Sequence, residues 1–545
     1  MASQKNFAIT PSVSISRSKF RRPSQHKTTF NLGDIVPIYV DADILPGDTV
    51  SMDLSALVRM STPIVPIMDN IYIDYYAFFV PNRLLWTNWK VFMGENDTTA
   101  GAVTSEPAMP VISINNSNSS IMRIGTGSLG DYLGLPVGLA TTVGTNEVLV
   151  SRLPGSCYYL IFSEWFRDQN LIAPYKLNFS NGSSTYLAMQ GSNYFGYGSP
   201  LLKAAKESDY FTRALPFAQK GAPVSLPLGT FAPVIAGSSH STGDLTVGIG
   251  GSGSATSVLR LDSSSLISVD TSVADKISAT NMVADLSSAT AATINQLRFA
   301  FQYQKFLEKD ALYGSRYWEI LKGHFGISAP DASLQRPELL GHFRQHINID
   351  QVLQTSETTQ GGTALGTPGA NSVSGKSDHL ISKSFVEHGV LMVLAVARHD
   401  QTYAQGINRM WSRKTRTDFY FPVFANLGAQ EIKNKEIFAV GNDAAQNDAV
   451  FGYQEAWADY RYRPSICTSL LNPNVANSLG FWTLTNRFGS LPTLSQSFIE
   501  QDRTALTDAL VTGSTGPDFI ADFYFDAVYV RPMPMYSIPG LIDHH

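Results

Sequence analysis

The chain has 545 residues, a formal net charge of −5 and two cysteines, and only 16% of its residues are charged. Its length exceeds the ~250–300 residues that one hydrophobic core serves, so we expect large insertions or more than one domain. Two cysteines argue against a disulfide framework, and the apolar run 390–397 is far shorter than the ~20 residues that span a bilayer. Since no N-terminal signal peptide is present, we expect a soluble product of a reducing compartment.

Residues 1–27 are interpreted as a basic N-terminal arm. Residues 1–33 contain six Lys or Arg residues and no Asp or Glu. We expect the arm to be disordered or to lie across another surface, because it has few core-forming side chains. The candidate nucleic-acid contacts are Arg17, Lys19, Phe20, Arg21, Arg22 and Lys27. Cations neutralise phosphates and a ring can stack on an unpaired base, but a solvated tail or a clamp on a neighbouring subunit would use the same residues.

Strand patterns are predicted from Thr28 onward. Segment 71–80 has two largely apolar faces and ends at Pro81, after which Asn82 is expected to cap a short helix. Further strands are predicted over 385–398 and 521–531, the second with clean alternation of apolar side chains. Many strands, long Gly- and Pro-rich connections and few helices favour an all-β sandwich or barrel.

Two segments predict helices. The first is Ser163–Pro174, closed by its proline. The second opens at Ile294, where one stripe of apolar residues contains Ile294, Leu297 and Phe301 and another contains Phe299, Tyr303 and Phe306. Two apolar stripes predict a helix that is covered on more than one side.

Segment 237–290 differs in composition from the rest of the chain. Its 54 residues contain no Phe, Tyr or Trp, whereas 11% of the whole chain is aromatic, and 20 of them are Ser or Thr. A segment so poor in large apolar groups cannot anchor a main core. We therefore expect a peripheral excursion that forms a small exposed β subdomain, and we predict a second loop over 356–378.

The segments that match cofactor-binding motifs lack the neighbouring structure or the spacing that these motifs require. Two segments match GxGxxG, at 125–130 and 248–253, but neither precedes a helix long enough to hold a pyrophosphate. Segment 369–377 resembles a phosphate-binding loop with one residue too many, and we interpret it as loop. We predict no cofactor and no enzyme activity.

Six histidines gather in the second half of the chain without a metal-binding motif around them. They are His324, His342, His346, His379, His388 and His399. His342 and His346 could share one helical face, but the glutamate of HExxH is absent because Phe343 stands in its place. We interpret these histidines as structural and predict no metal site.

Four dispersed segments carry a resemblance to a known family. Segments 30–95, 128–136, 294–342 and 520–534 resemble the major capsid proteins of microviruses, in particular the gokushovirus branch. Those viruses are small icosahedral bacteriophages with circular single-stranded DNA. The resemblance covers most of the chain and is weakest over 237–290.

The resemblance implies a fold and an architecture. It implies an eight-stranded viral jelly roll with large loop insertions and a few short helices. On this plan 1–27 is the arm, 28–236 is the first part of the core with its insertions, 237–290 is an exposed insertion and candidate threefold protrusion, and 291–545 is the remainder of the core.

The same resemblance implies a function. Pentamers of the chain, twelve of them, would close an icosahedral shell around single-stranded DNA, together with minor phage proteins: an internal DNA-binding protein, a pilot protein and a scaffold. The protrusion would be available to a host receptor, which the sequence does not identify. The alternative is a non-viral β-sandwich adhesin or carbohydrate-binding protein, which would also explain the strands and the Ser/Thr-rich loop.

Overall fold

The structure of the chain is a computed structural model. This structure describes residues 15–95, 106–114, 121–138, 148–224, 294–356 and 364–537, and five short strands between residues 234 and 284. The chain divides into two compact units, one made of Met1–Ala218 with Ala311–His545 and the other of Gln219–Asp310.

Eight strands of the first unit build two four-stranded sheets. They are β1 (Ser18–Phe30), β2 (Ile35–Ile44), β3 (Thr49–Met60), β4 (Ile71–Pro81), β5 (Glu338–His346), β6 (Val373–Ser384), β7 (Gly389–His399) and β8 (Phe519–Arg531). The strand order is β1-β8-β3-β6 in the first sheet and β5-β4-β7-β2 in the second. Every pairing within the two sheets is antiparallel. The expected mainly β architecture is confirmed, and its antiparallel sheets are compatible with a β-sandwich.

The core lies between the two sheets and follows from the alternation along their strands. In β3 and β8 every second side chain is buried, as expected for a sheet with one covered face. The rings of Tyr75 on β4 and Phe523 on β8 lie 5.9 Å apart, so the two sheets meet there. Strand β7 is buried along its whole length, so the second sheet is covered on both faces at this strand.

Strand β1 begins at Ser18, so the prediction that strands start near Thr28 is wrong. All 13 residues of β1 pair in register with β8, from Ser18 opposite Arg531 to Phe30 opposite Phe519. Pairing uses backbone groups, which the polar side chains of this segment do not disturb. Because β1 is an edge strand, it tolerates Pro23, which cannot donate a hydrogen bond to the ladder.

The helix expected at 163–174 lies earlier in the chain. Helix α1 spans Leu153–Ile161 and continues as one wider turn over Phe162–Phe166. It begins with Pro154 in its first turn, a position where the missing N–H is not needed. The buried Tyr158 anchors α1 to the second sheet, since its hydroxyl donates to the carbonyl of Ile35 at 2.9 Å.

The segment that opens at Ile294 forms two helices, α2 (Ile294–Tyr313) and α3 (Tyr317–Phe325). Helix α3 ends at Gly326 with φ of 70°, the left-handed conformation that favours glycine. The helical prediction for α2 is confirmed, but its expected burial is not, because Ala311 is its one buried residue. Among the described residues, no helix is both long and apolar enough to cross a bilayer.

The prediction of a loop over 356–378 is wrong for the second half of this segment. Pro368–Asn371 pairs with Asp350–Leu353, and β6 starts at Val373. The segment that resembles a phosphate-binding loop is therefore mostly strand, and Lys376 donates to the carbonyl of Arg344 at 2.8 Å. The sequence did not predict this strand because Gly and Ser are not typical strand residues, although its backbone pairs with β3.

Short elements complete the first unit. Asn82 starts a short helix rather than capping it. The short helices are Asn82–Leu85, Trp89–Phe92, Leu129–Tyr132, Asn434–Ile437, Ala444–Asp448, Ala458–Arg461, Gln496–Ile499 and Thr504–Ala509, and the 3-10 turns are Arg409–Ser412, Arg416–Asp418, Pro422–Phe424, Ser469–Leu471, Gly480–Trp482 and Gly513–Thr515. The short strands are Val111–Ile114, Val148–Ser151, Lys176–Leu177, Ser183–Ser184, Ala188–Gln190, Asn193–Phe195, Asp350–Leu353, Pro368–Asn371, Thr402–Tyr403, Ala429–Lys433, Val450–Glu455 and Ser465–Ile466.

The second unit contains two small antiparallel sheets. Their strands are Val234–Ala236, Thr246–Ile249, Thr256–Val258, Ile277–Ala279 and Met282–Ala284. Most of segment 237–290, including the glycines at 250–253, lies outside the described residues. Its assignment as an exposed insertion stays a prediction.

Candidate nucleic-acid and subunit interfaces

The six candidate nucleic-acid contacts do not share one surface. Five of them lie on β1, where successive side chains point to opposite faces of the sheet. Lys19, Arg21 and Lys27 are exposed on the outer face of the first sheet. Phe20 packs against the core from the other face, on which Arg22 follows it. The strand thus divides a cluster that looks continuous in the sequence.

Arg21 is already paired with an acidic residue of the neighbouring strand. Its Nε and Nη2 atoms donate to the two carboxylate oxygens of Asp526 on β8 at 2.8 and 2.6 Å. The hydrogen bond from Arg21 lowers the pKa of Asp526. Arg21 is exposed and Asp526 is partly exposed, so this pair contributes little to the stability of the fold.

Arg22 is part of a partly buried polar cluster beneath β1. Its Nη1 atom donates to Oδ2 of Asp41 at 2.8 Å, and its guanidinium lies 4.9 Å from the ring centre of Tyr529. The Tyr529 hydroxyl donates to the same Asp41 oxygen at 2.8 Å and lies 2.8 Å from the hydroxyl of Tyr39. Burial raises the pKa of Tyr39. Arg22 is therefore already paired with a buried carboxylate, although 44% of its own side chain stays exposed.

Three of the candidates keep an uncompensated charge. Among the described residues, no carboxylate lies within ion-pair distance of Arg17, Lys19 or Lys27, and all three are exposed. Such cations can neutralise phosphate groups. They are the part of the predicted arm that is available to a nucleic acid.

Sequence reasoning missed a buried charged cluster on the second sheet. Asp74 on β4 has no solvent exposure and accepts hydrogen bonds from Nε and Nη2 of Arg344 on β5, at 2.7 and 3.0 Å. Arg398 on β7 donates to it at 3.0 Å, and Nε2 of His342 lies 3.3 Å from it. The sequence offered one indication of this cluster, namely an aspartate inside an apolar strand. Burying a charged aspartate is energetically costly unless it is paired. The cluster joins three neighbouring strands.

The histidines have separate surroundings. His342 lies beside Asp74, whereas His346 is exposed, and both are on strand β5 rather than on a helix. Nδ1 of His399 lies 2.7 Å from the carbonyl oxygen of Asp400. Within the part of the chain that the structure describes, no group of three or more His, Cys, Asp or Glu residues is placed to hold a metal ion.

A cleft of about 920 Å³ in the first unit is lined by residues that include Lys206, His399 and Phe498. The ammonium of Lys206 lies 4.8 Å from the ring centre of Phe498. Burial lowers the pKa of Lys206, because little water is left to solvate its charge. Acidic residues such as Glu500 and Asp502 line the same cleft, so the cleft is not a basic groove.

Exposed aromatic side chains concentrate on α2. Phe299 is 69% exposed, Phe301 65% and Tyr303 44%. Successive residues of an α-helix are about 100° apart, so Phe299 and Tyr303 lie on one face of α2 and Phe301 lies on the opposite face. Among the described residues, α2 therefore exposes large rings on both of these faces.

Comparison with known proteins agrees with these observations. Residues 8–541 match the family described as capsid protein (F protein). The chain is similar to the capsid protein VP1 of Bdellovibrio phage phiMH2K, with 40% identity over 549 residues that cover 98% of each chain. It is also similar to the proteins of the same name from Chlamydia phage 1, with 36% identity, and Spiroplasma virus 4, with 34% identity, each over 98% of this chain and 97% of the relative.

These matches extend over almost the whole chain and confirm the resemblance to microvirus capsid proteins of the gokushovirus type. They favour a shell protein over the adhesin or carbohydrate-binding alternative. The chain belongs to the phage capsid protein (F protein) family, and it is a structural component of the virion rather than an enzyme.

Proposed function

We propose that the chain is the subunit of an icosahedral shell, assembled from pentamers, that encloses a circular single-stranded DNA genome. The fold proposed for it is the eight-stranded viral jelly roll. The observation that carries the proposal is the pairing of the eight strands. β1 pairs with β8, β2 with β7, β3 with β6 and β4 with β5.

This pairing is that of one long antiparallel ribbon that is folded across two sheets. Chain-consecutive strands lie in different sheets except for β4 and β5, which form the closed end of the ribbon. Long connections can be inserted at that end without disturbing any pairing. Residues 82–337, which include the whole second unit, are inserted there. The position supports 237–290 as a surface protrusion that meets host receptors.

Assembly is tested by expressing the full chain together with any scaffolding protein that the phage encodes. We expect closed particles of uniform diameter, far larger than the 59.5 kDa chain, in velocity sedimentation and electron micrographs. Ala527→Asp is a control, because a charge in the buried core should give irregular aggregates rather than closed shells. A native chain that stays monomeric across a range of salt would overturn the proposal.

The nucleic-acid part of the proposal has its own test. Lys19 and Lys27 lie on one exposed face without acidic partners among the described residues, so changing both to Gln should remove up to two phosphate contacts. The log–log salt dependence of single-strand binding should then fall by about 0.7 per contact, or about 1.4 in total. Arg21→Gln is the matched control on the same face, since Asp526 already neutralises that charge. An unchanged slope in the double variant would remove β1 from the DNA interface.

A further inference from the structure

Segment 407–427 of the first unit, which we call the strap, exposes large apolar side chains. It runs through the three turns Arg409–Ser412, Arg416–Asp418 and Pro422–Phe424. Five of its large apolar side chains have exposed fractions between 50% and 88%, namely Met410, Trp411, Phe419, Val423 and Leu427. Covering such side chains with a partner is favourable, because apolar surface is removed from water.

Part of the strap belongs to one continuous cluster of exposed rings around Arg413. The guanidinium of Arg413 lies 4.4 Å from the ring centre of Tyr460 and 5.5 Å from that of Phe419. The ring of Tyr420 lies 6.1 Å from that of Tyr460. All three rings are 44% to 50% exposed, so these contacts join them into one surface. A continuous apolar surface of this kind marks a site of interaction.

The strap is ordered by contacts within the subunit. Nε1 of Trp457 donates to the carbonyl oxygen of Phe424 at 2.9 Å. The carboxylate of Asp418 accepts from the backbone N–H groups of Lys414 and Thr415 at 2.8 and 2.7 Å. A surface that is ordered in advance loses little conformational entropy on binding, so more of the gain from covering its side chains is kept as affinity.

The composition of the strap fits a protein partner. The centres of protein interfaces are enriched in Trp, Tyr, Phe, Met and Arg, and the strongest contributions to binding come mainly from Trp, Tyr and Arg. The strap supplies these types at Trp411, Tyr420 and Arg413. Val423 and Leu427 have no ring that could stack on a base, whereas both can pack against a protein surface.

Charge indicates which surface of which protein covers the strap. The strap contains four Lys or Arg residues and one Asp, whereas the whole chain has a net charge of −5. The rest of each copy is therefore acidic on balance and complements the strap of another copy. Arg409 and Arg413 pair with carboxylates of their own chain, but within the described residues the side-chain cations of Lys414 and Arg416 have no carboxylate at ion-pair distance. Two straps face to face would bring like charges together.

We propose that the strap docks on a different, acidic surface of a neighbouring copy of this chain in the shell. Each copy gives its strap to one neighbour and receives the strap of another. Contacts between two unlike surfaces close into rings when the rotation between copies allows it, which is the geometry of the proposed pentamers. The assignment rests on the proposed shell and adds the residues that join its subunits.

The test uses the full chain in assembled particles. The photoreactive residue p-benzoylphenylalanine replaces Val423, which is 88% exposed, and on irradiation it inserts into a nearby C–H bond. We expect covalent species of two or more chains from particles, and at least tenfold less of them from subunits kept unassembled. Mass spectrometry of the joined peptides should show position 423 linked to a segment of the same protein outside 407–427.

Val386 is the matched control position, since it is a valine outside the strap that is 86% exposed. The same photoreactive residue at 386 should give at least tenfold less joined chain, and equal yields would overturn the assignment. Charge is tested by the double variant Lys414→Glu and Arg416→Glu, which should assemble at least tenfold less efficiently while the circular dichroism of the subunit is unchanged. Assembly that withstands this reversal would overturn the contact with an acidic surface.

The remaining outcomes separate the strap from the shell. Links from 423 to a second strap, to another phage protein or to DNA would each overturn the proposal and leave the shell standing, as would particles that yield only single chains. If the photoreactive residue blocks assembly at 423 and at Trp411 but not at Val386, and the subunits stay folded, the strap is needed for contact between copies. If the native chain forms no particles, the shell and the strap contact fall together.

Discussion

At the scale of single residues, neighbouring arginines of one short segment have different roles. Arg21 pairs with Asp526 at the surface, whereas Arg22 reaches under β1 to Asp41. The sequence presents both as equivalent cations of a basic arm. The alternation of an extended strand assigns them to opposite faces, and the partners on β8 and β2 then decide what each charge does.

Substitution separates these two roles. Arg22→Gln leaves the buried carboxylate of Asp41 without its closest cation, so we expect the unassembled subunit to lose on the order of 1 kcal/mol of stability. Arg21→Gln is the control. Because its ion pair with Asp526 is exposed, the free energy of unfolding should hardly change. Urea unfolding of both variants checks this. Equal losses would show that Arg22 is not held as described.

The buried His399 predicts a dependence of stability on pH. Burial lowers its pKa below the ordinary 6.5, against the opposing influence of Asp69 and Asp400, while Lys206 reinforces the shift. As the pH falls below about 6.5, the unfolded chain takes up a proton that the folded subunit excludes. Stability should therefore fall with decreasing pH until the lowered pKa is reached, by at most about 1.4 kcal/mol per pH unit.

This dependence is measured as the free energy of unfolding between pH 7.5 and pH 5.5. His399→Gln should flatten it over that range, whereas His346→Gln at an exposed position should leave it as in the native chain. A native profile that is flat, or that rises as pH falls, would contradict the assigned direction.

At the scale of elements, β1 shows how far pairing can override composition. Its residues are mostly polar and include a proline, which is typical of a free terminus. The adjacent strand β8 offers a full row of backbone groups, and β1 satisfies them along 13 residues. Backbone pairing with the neighbouring strand determines where such an edge strand forms. Its polar composition indicates mainly that one of its faces is exposed to solvent.

Truncation tests the role of β1. Deletion of residues 1–27 removes most of the strand and leaves β8 as an unpaired edge, so we expect loss of soluble subunit and of shells. Deletion of 1–14 does not touch β1 and is the matched control. The yield of soluble protein and its circular dichroism provide the measurement. A soluble, folded 28–545 chain would show that β1 is dispensable.

At the scale of the whole molecule, the chain combines a closed ribbon of eight strands with long insertions. The insertion between β4 and β5 contains a unit, Gln219–Asp310, that is compact by itself. The remaining residues form the other unit with its own core. The two parts can therefore change independently in the course of evolution or design.

Replacement of 237–290 by a short Gly/Ser linker tests this independence. Each doubling of loop length costs only about 0.6 kcal/mol, so the melting temperature of the subunit should stay nearly unchanged. Shells should still form, while attachment to host cells should fall. A Gly/Ser segment of the original 54 residues is the control that separates length from sequence. Failure of both variants to fold would make this segment part of the core.

The sequence by itself determined the mainly β class, the helix at Ile294 and the family, because alternation, helical spacing and dispersed similarity are local properties of the chain. It also set 237–290 apart by composition. Only the tertiary structure decided that β1 starts at Ser18, that Gly369–Ser377 is mostly strand, and that Asp74 is matched by Arg344 and Arg398. Those outcomes depend on partners distant in sequence, whose backbone and charges a local pattern does not contain. Likewise, the sequence predicted a helix covered on more than one side at Ile294, whereas Ala311 is the one residue of α2 that is buried.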